Sequence, residues 1–202
     1  SPNCPSAQEL PIMVENAVAS VAGVGPVKVD VVWDPPWDPS RMTDEARVML
    51  AESVEPNATF DEWTINLRKG VKFHDGTDLT AEVVKNNLDA YRGQYAGRKP
   101  LLFIFVLDNI DTVEATDAST VKITTKKPWP ALPSFLFSSG RLGIMAQAQL
   151  DNADNCDKDL IGTGPFKLKD WKVNDKFVAE KNPDYWETDA DGNALPYLDE
   201  IE

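Results

Sequence analysis

The sequence predicts a mixed α and β fold (α+β), with a β-rich core and helices packed on its faces. Residues 62–71, EWTINLRKGV, alternate apolar and polar side chains, which is typical of a half-buried strand. Thr80 precedes AEVVKNNLDAYR, a stretch with helical spacing for which it is a suitable N-cap. Between them, Asp75-Gly76 is a strong turn signal. A hydrophobic content of 42% over 202 residues is enough to build a sizeable core.

The first fifty residues predict a helix, a strand and a second helix. Residues 5–22 carry apolar side chains at helical spacing, and the Gly and Pro residues at 23–26 end that helix. Residues 27–33, VKVDVVW, alternate as a half-buried strand does. After a proline-rich loop, Thr43 is placed to cap a short helix over residues 44–53, DEARVMLAES.

The same two signals, apolar–polar alternation and turn residues, predict the later elements. NIDTVEAT and TVKITTK predict two strands within residues 108–126, joined by a turn at Asp117-Ala118. Prolines then frame a short helical turn through SFLF. Residues 161–182 predict a hairpin that turns near Val173-Asn174-Asp175, and YLDEIE begins a further strand.

Charge and hydropathy limit the classes of partner. The net charge of −13 repels phosphate backbones and anionic lipids, so we expect no nucleic-acid partner. No apolar run approaches the length of a membrane span, so we expect no membrane insertion. The chain does not open with a signal peptide, which we expect was removed or never existed. Two cysteines, Cys4 and Cys156, allow one disulfide or none.

Residues 51–202 resemble the family 5 extracellular solute-binding proteins, which deliver oligopeptides, dipeptides or nickel chelates to ABC importers. Three blocks carry the resemblance in order: LAESVEPNATFDEWTINLRKGVKFHDGTDLTAEVV, IDTVEATDASTVKITTKKPWPALPSFL and IGTGPFKLKDWKVNDKFVAEKNPDYW, the last followed by LPYLDEIE. The resemblance covers part of the family's domain I, so it implies an incomplete lobe of a periplasmic-binding-protein-like fold.

The same resemblance implies a function and its partners. We expect non-enzymatic binding of a small peptide-like solute, an ABC permease as partner, no cofactor, and a periplasmic or extracellular location. Because one incomplete lobe cannot bury most of a ligand, we expect weak or absent binding by this chain alone. An exposed face of such a lobe also predicts homo-oligomerisation.

Residues 3–50 resemble the C-terminal half of the SufT/PaaD-like iron–sulfur assembly domain. The Cys-Pro opening, the helix, the strand ending in VWDPPW and the RMTDEAR helix stand in that family's order. We therefore predict two parts, residues 1–50 and 51–202, joined at Leu50-Ala51. Three alternatives stay open: a solute-binding protein, a cytoplasmic-type iron–sulfur carrier that uses Cys4, and a chimera whose only property is folding.

The segment SFLFSSGRLGIM holds the candidate ligand-binding residues. The resemblance implies that it faces the cleft between the lobes. Arg141 is then suited to a bidentate contact with a solute carboxylate. Ser138, Ser139 and Gly140 would add hydroxyls and a backbone amide. A surface loop whose arginine pairs with a nearby acid is the alternative.

The candidate metal-binding and catalytic residues have weaker support in the sequence than the ligand-binding segment has. Asp189, Asp191, Asn193 and Glu200 match positions one, three, five and twelve of a calcium loop, but Ala194 replaces the required glycine. A simple turn is the preferred interpretation there. Cys4 is a weak candidate ligand of an iron–sulfur cluster. His74 lacks an accompanying nucleophile motif, which favours a structural turn residue and a non-enzymatic protein.

Overall fold

The computed structural model describes residues 15, 28, 50–100, 107–136, 142–152, 160–172 and 174–202. The chain divides into two compact units, residues 1–43 and 44–202. In the first unit, Glu15 is helical, as predicted, whereas Lys28 is exposed and lies in no regular element. The second unit contains every strand and helix described below.

A four-stranded antiparallel sheet, the N-terminal sheet, forms the centre of the second unit. Its strands are β1 (Ala51–Pro56), β2 (Glu62–Leu67), β3 (Ile110–Ala115) and β4 (Thr120–Thr125), in the spatial order β1-β2-β4-β3. The three strands β2, β3 and β4 confirm the predictions made from alternation and turns. In β2 and β4 every second residue is buried, and in β3 Ile110 and Val113 are buried.

The predicted helix over residues 44–53 is wrong at its C-terminal end. Residues 51–53 lie in β1, where Ala51 pairs with Leu67 and Val54 pairs with Ile65. The apolar spacing of MLAES fits a helix locally, but backbone pairing with β2 decides its conformation. Residues 44–49 lie outside the described part of the chain.

Helix α1 (Ala81–Tyr91) covers the N-terminal sheet. The Thr80 hydroxyl accepts a hydrogen bond from the Val83 amide at 3.3 Å, which confirms the predicted N-cap. The side chains buried between helix and sheet form one cluster that includes Trp63, Ile65, Leu67, Leu88, Val121 and Ile123.

Two short helices, α2 (Leu132–Phe135) and α3 (Gln147–Asp151), lead to a second sheet. This C-terminal sheet contains β5 (Phe166–Lys172), β6 (Lys176–Lys181) and β7 (Glu200–Ile201), all antiparallel in that order. Asn174 turns the β5–β6 hairpin with a φ of 62°. The predicted hairpin and the strand in YLDEIE are both confirmed. Within the residues described, no helix is long and apolar enough to cross a membrane.

Candidate functional site

The predicted ligand-binding residues Ser138, Ser139, Gly140 and Arg141 lie outside the described residues, as do Cys4 and Cys156. The residues that flank the binding segment are described. Leu136 precedes it and Leu142 follows it, and both line one concave feature of the second unit.

The concave feature is an apolar cavity of about 320 Å³. Its walls come from β1, β2 and α1, and from the chain around residues 142–144, 162–165 and 185–186. Val84 and Leu88 reach it from α1, and Ile65 and Leu67 reach it from β2. The helical spacing of the first pair and the strand alternation of the second pair aim all four side chains at the same space.

His74, in the turn between β2 and α1, holds the loop at residues 162–165. The His74 amide donates to the Gly162 carbonyl at 2.9 Å, and His74 Nε2 lies 2.9 Å from the Gly164 carbonyl oxygen. The Gly162 amide donates a hydrogen bond to His74 Nδ1 at 3.4 Å. These partners fit a neutral ring that donates from Nε2 and accepts at Nδ1. His74 therefore ties its turn to this loop, and the absence of a catalytic role stays a prediction.

Asn182 holds the same loop from the C-terminal sheet. It is buried, and its Nδ2 donates to the Gly164 carbonyl at 3.0 Å. The backbone amide of Asn182 donates to the Pro165 carbonyl at 2.8 Å. The Gly164 carbonyl thus lies within hydrogen-bond distance of two side chains, His74 from the turn after β2 and Asn182 from the end of β6. The sequence motif GTGPF gave no signal for either partner, since both lie far away along the chain.

Two residues of α1 fix the wall at residues 143–145. Asn87 is buried, donates to the Met145 carbonyl at 2.9 Å and accepts from the Met145 amide at 3.0 Å. The Tyr91 hydroxyl donates to the Gly143 carbonyl, and burial raises the pKa of Tyr91 to about 12. A polar residue on the apolar face of a predicted helix was the available signal for Asn87, and sequence reasoning missed it.

Tyr185 and Trp186 close another side of the cavity. The Arg68 guanidinium carbon lies 5.0 Å from the Trp186 ring centroid, within cation–π distance. The Tyr185 hydroxyl donates to Glu187 at 2.6 Å. Burial, followed by this contact with Glu187, holds the pKa of Tyr185 well above its usual value.

The residues of the calcium-loop template lie in two separate places in the structure. Asp189 organises a turn by accepting from Tyr197, from Asn193 and from the Asp191 amide, and these donors lower its pKa to about 2. Glu200 instead pairs with Lys169 across the C-terminal sheet. Among the described residues, no group of three His, Cys, Asp or Glu side chains is placed to hold a metal ion.

The fold class is a mixed α/β lobe like those of periplasmic binding proteins. The structure of the binding protein AgaA from A. tumefaciens R10, in complex with agropinic acid, aligns with a TM-score of 0.62 at 34% identity. That alignment covers 75% of this chain and 29% of AgaA. The ABC transporter-associated periplasmic binding protein DppA from Helicobacter pylori, in complex with the peptide STSA, aligns with a TM-score of 0.59 at 25% identity, covering 75% of this chain and 32% of DppA.

The chain belongs to the bacterial extracellular solute-binding proteins, family 5, whose model ("family 5 Middle") matches residues 45–202. The glutathione-binding protein GsiB of Shigella boydii serotype 4 (strain Sb227) is 34% identical over 153 residues. The match covers 76% of this chain, and the chain spans 28% of the length of GsiB.

Proposed function

We propose that this chain carries part of the solute-binding surface of an ABC importer, and that it binds a small peptide-like solute weakly and without covalent chemistry, because one incomplete lobe buries only part of the ligand. The match to family 5 over residues 45–202 is the observation that carries the proposal. The relatives add support, since GsiB is a glutathione-binding protein and the DppA structure is a complex with a peptide. A periplasmic or extracellular location and an ABC permease as partner belong to the same proposal.

The segment around Arg141 provides the recognition in this proposal. Its flanking residues Leu136 and Leu142 line the apolar cavity, so an apolar wall lies beside the segment in sequence. Arg141 would pair with the solute carboxylate through two parallel hydrogen bonds. Ser138, Ser139 and the Gly140 amide would bind the neighbouring peptide groups.

An NMR titration with a tripeptide and with its C-terminal amide tests this role. The wild-type chain should show saturable amide shifts with the tripeptide acid and weaker binding of the amide, because the amide lacks the carboxylate. Arg141→Met should weaken binding of the tripeptide acid by about tenfold or more and leave binding of the tripeptide amide unchanged. Lys99→Met, which removes an exposed cation elsewhere, is the control. The proposal would be contradicted if Arg141→Met lost equal affinity for the tripeptide acid and the tripeptide amide, or if neither peptide gave a saturable shift with the wild-type chain.

We also propose that the residues before the family match have a separate origin, as a half-domain similar to the SufT/PaaD-like iron–sulfur assembly family. Two observations support a separate part: the family 5 model begins at residue 45, and the chain divides between residues 43 and 44. In this proposal Cys4 would be the cluster ligand. Anaerobic reconstitution should then give a cluster absorbance that Cys4→Ser abolishes; an unchanged or absent absorbance refutes it.

A further inference from the structure

The apolar cavity is large enough for a small molecule. An engineered cavity of about 150 Å³ lined by aliphatic side chains binds benzene. The cavity described above has about twice that volume, 320 Å³, and lies at the lower end of the usual range for ligand pockets. Its size therefore matches roughly two fused aromatic rings.

The polar groups at its edge already have partners inside the protein. The Gly143 carbonyl accepts from Tyr91, and the Gly164 carbonyl accepts from both His74 and Asn182. The Gly162 amide and the Tyr185 hydroxyl are likewise engaged, by His74 and Glu187. These groups gain nothing from a polar ligand, and a charge placed among them would be desolvated without compensation.

The walls offer contact to a flat apolar molecule. Leu67, Val84 and Leu88 supply aliphatic surface, and Trp186 supplies an aromatic ring that Arg68 holds in place. Among the described lining residues there is no Asp, Glu, Lys, Arg or His. Thr163 contributes a half-buried hydroxyl, which suits at most one neutral polar atom.

We propose that this cavity is a second binding site, which takes an uncharged aromatic molecule of about two fused rings. The site goes beyond the proposed solute function because it uses neither Arg141 nor a ligand carboxylate. Burial of the apolar surface of the ligand supplies the affinity, and the absence of a charged side chain among the described lining residues supplies the selectivity for uncharged molecules.

Fluorine NMR with two matched probes tests the site on the full chain. 1-Fluoronaphthalene should show saturable line broadening on addition of the protein. 4-Fluoro-1-naphthoate, which adds a carboxylate to the same rings, should bind at least about tenfold more weakly. Equal or tighter binding of the naphthoate would overturn the proposal, because it would mean that a charged group drives recognition.

Two variants of equal burial locate the ligand. Val84 and Val113 are both 6% exposed, but Val84 lines the cavity and Val113 does not. Val84→Phe fills the space and should abolish binding of 1-fluoronaphthalene, whereas Val113→Phe adds the same bulk elsewhere in the core and should keep it. Unchanged affinity in a folded Val84→Phe protein would refute the assignment. Arg141→Met should leave this binding intact, so failure of the solute proposal and failure of this one are distinguishable.

A wild-type measurement keeps the test independent of variant folding. In an amide spectrum, 1-fluoronaphthalene should shift the Gly143, Gly162 and Gly164 signals, which come from the cavity wall. Gly70 and Gly192 lie in turns that do not line the cavity and should not move. Shifts centred on other residues would place the ligand elsewhere and overturn the proposal.

Discussion

The two sheets of the second unit bury very different amounts of their apolar side chains. In the N-terminal sheet, Trp63, Val121 and Ile123 are fully buried. In the C-terminal sheet, Trp171, Phe177 and Ile201 are 44%, 45% and 40% exposed. Helix α1 covers the first sheet and makes the difference, since residue contacts link it to β3 and β4.

The comparison shows that the two sheets are stabilised by different interactions. The N-terminal sheet depends on a packed apolar core, which is non-directional and large in free energy. The C-terminal sheet buries Val178 and Ala179 but leaves its larger apolar side chains half exposed, and the loop that leads into it is held by His74 and Asn182, which share the Gly164 carbonyl. Mutations should therefore have large effects in the first sheet and smaller, more local effects in the second.

A pair of isoleucine truncations gives the largest expected contrast. Ile123→Ala should lower the free energy of unfolding by about 2–5 kcal/mol, because Ile123 is fully buried in β4 and the truncation leaves a cavity. Ile201→Ala, in half-exposed β7, should cost under about 1 kcal/mol. Urea denaturation followed by circular dichroism measures both values. Equal costs would show that the C-terminal sheet has a core of its own.

Tyr91 should make the stability sensitive to alkaline pH. Burial raises its pKa from 10.0 to about 12, so the folded state favours the neutral phenol. That contribution is complete below pH 10 and is lost as the pH rises toward 12, by at most about 3 kcal/mol. Across this pH window the melting temperature of Tyr91→Phe should fall less steeply than that of the wild-type protein. Tyr185→Phe, which removes another tyrosine whose pKa burial raises, separates the contribution of the C-terminal region. Wild-type and Tyr91→Phe curves of identical slope would contradict the assignment.

Asn182→Ala should loosen the loop of residues 162–165, which leads into β5. Loss of the buried amide should cost about 1–3 kcal/mol. His74→Ala removes the other donor to the Gly164 carbonyl, so the two substitutions should not be additive. Hydrogen exchange at Gly162 and in β5 reports the loosening, and a double-mutant cycle reports the coupling. Strict additivity would mean that the two donors act separately.

The ion pair between Lys169 and Glu200 should have the smallest effect. Their side chains are 50% and 44% exposed, and exposed pairs contribute from about 0 to 1 kcal/mol. Lys169→Met should therefore change the midpoint of urea unfolding only slightly, and salt should diminish the difference further. A loss well above this range would make the pair a principal tie between β5 and β7.

Regular elements with a local signal could be predicted from the sequence, and contacts between distant segments could not. Alternation predicted β2 and β4, and Thr80 predicted the start of α1, because these signals lie within a few residues of each other. Residues 51–53 were predicted as helix because their pairing with β2 is invisible in local spacing. The contacts of His74 with the 162–165 loop span about 90 positions, which no pattern in either segment shows.

The apolar cavity could not be predicted for the same reason. Its walls come from β1, β2, α1 and three later segments, and each reads locally as ordinary core or loop. The binding segment at residues 138–141 was predicted from the family resemblance, and it stays a prediction because it lies outside the described residues. The calcium template was misleading at Glu200, which pairs with Lys169 and not with the Asp189 turn.

Native mass spectrometry of the gently purified chain with an added tripeptide tests the central claim most directly. One spectrum reports the oligomeric state and any bound mass together. Solute binding through Arg141 predicts a minor peak heavier by one tripeptide in the wild-type protein, since binding by one incomplete lobe is weak, and a still smaller peak for Arg141→Met. A bare chain in both proteins, or equal adducts in both, would contradict solute binding through Arg141.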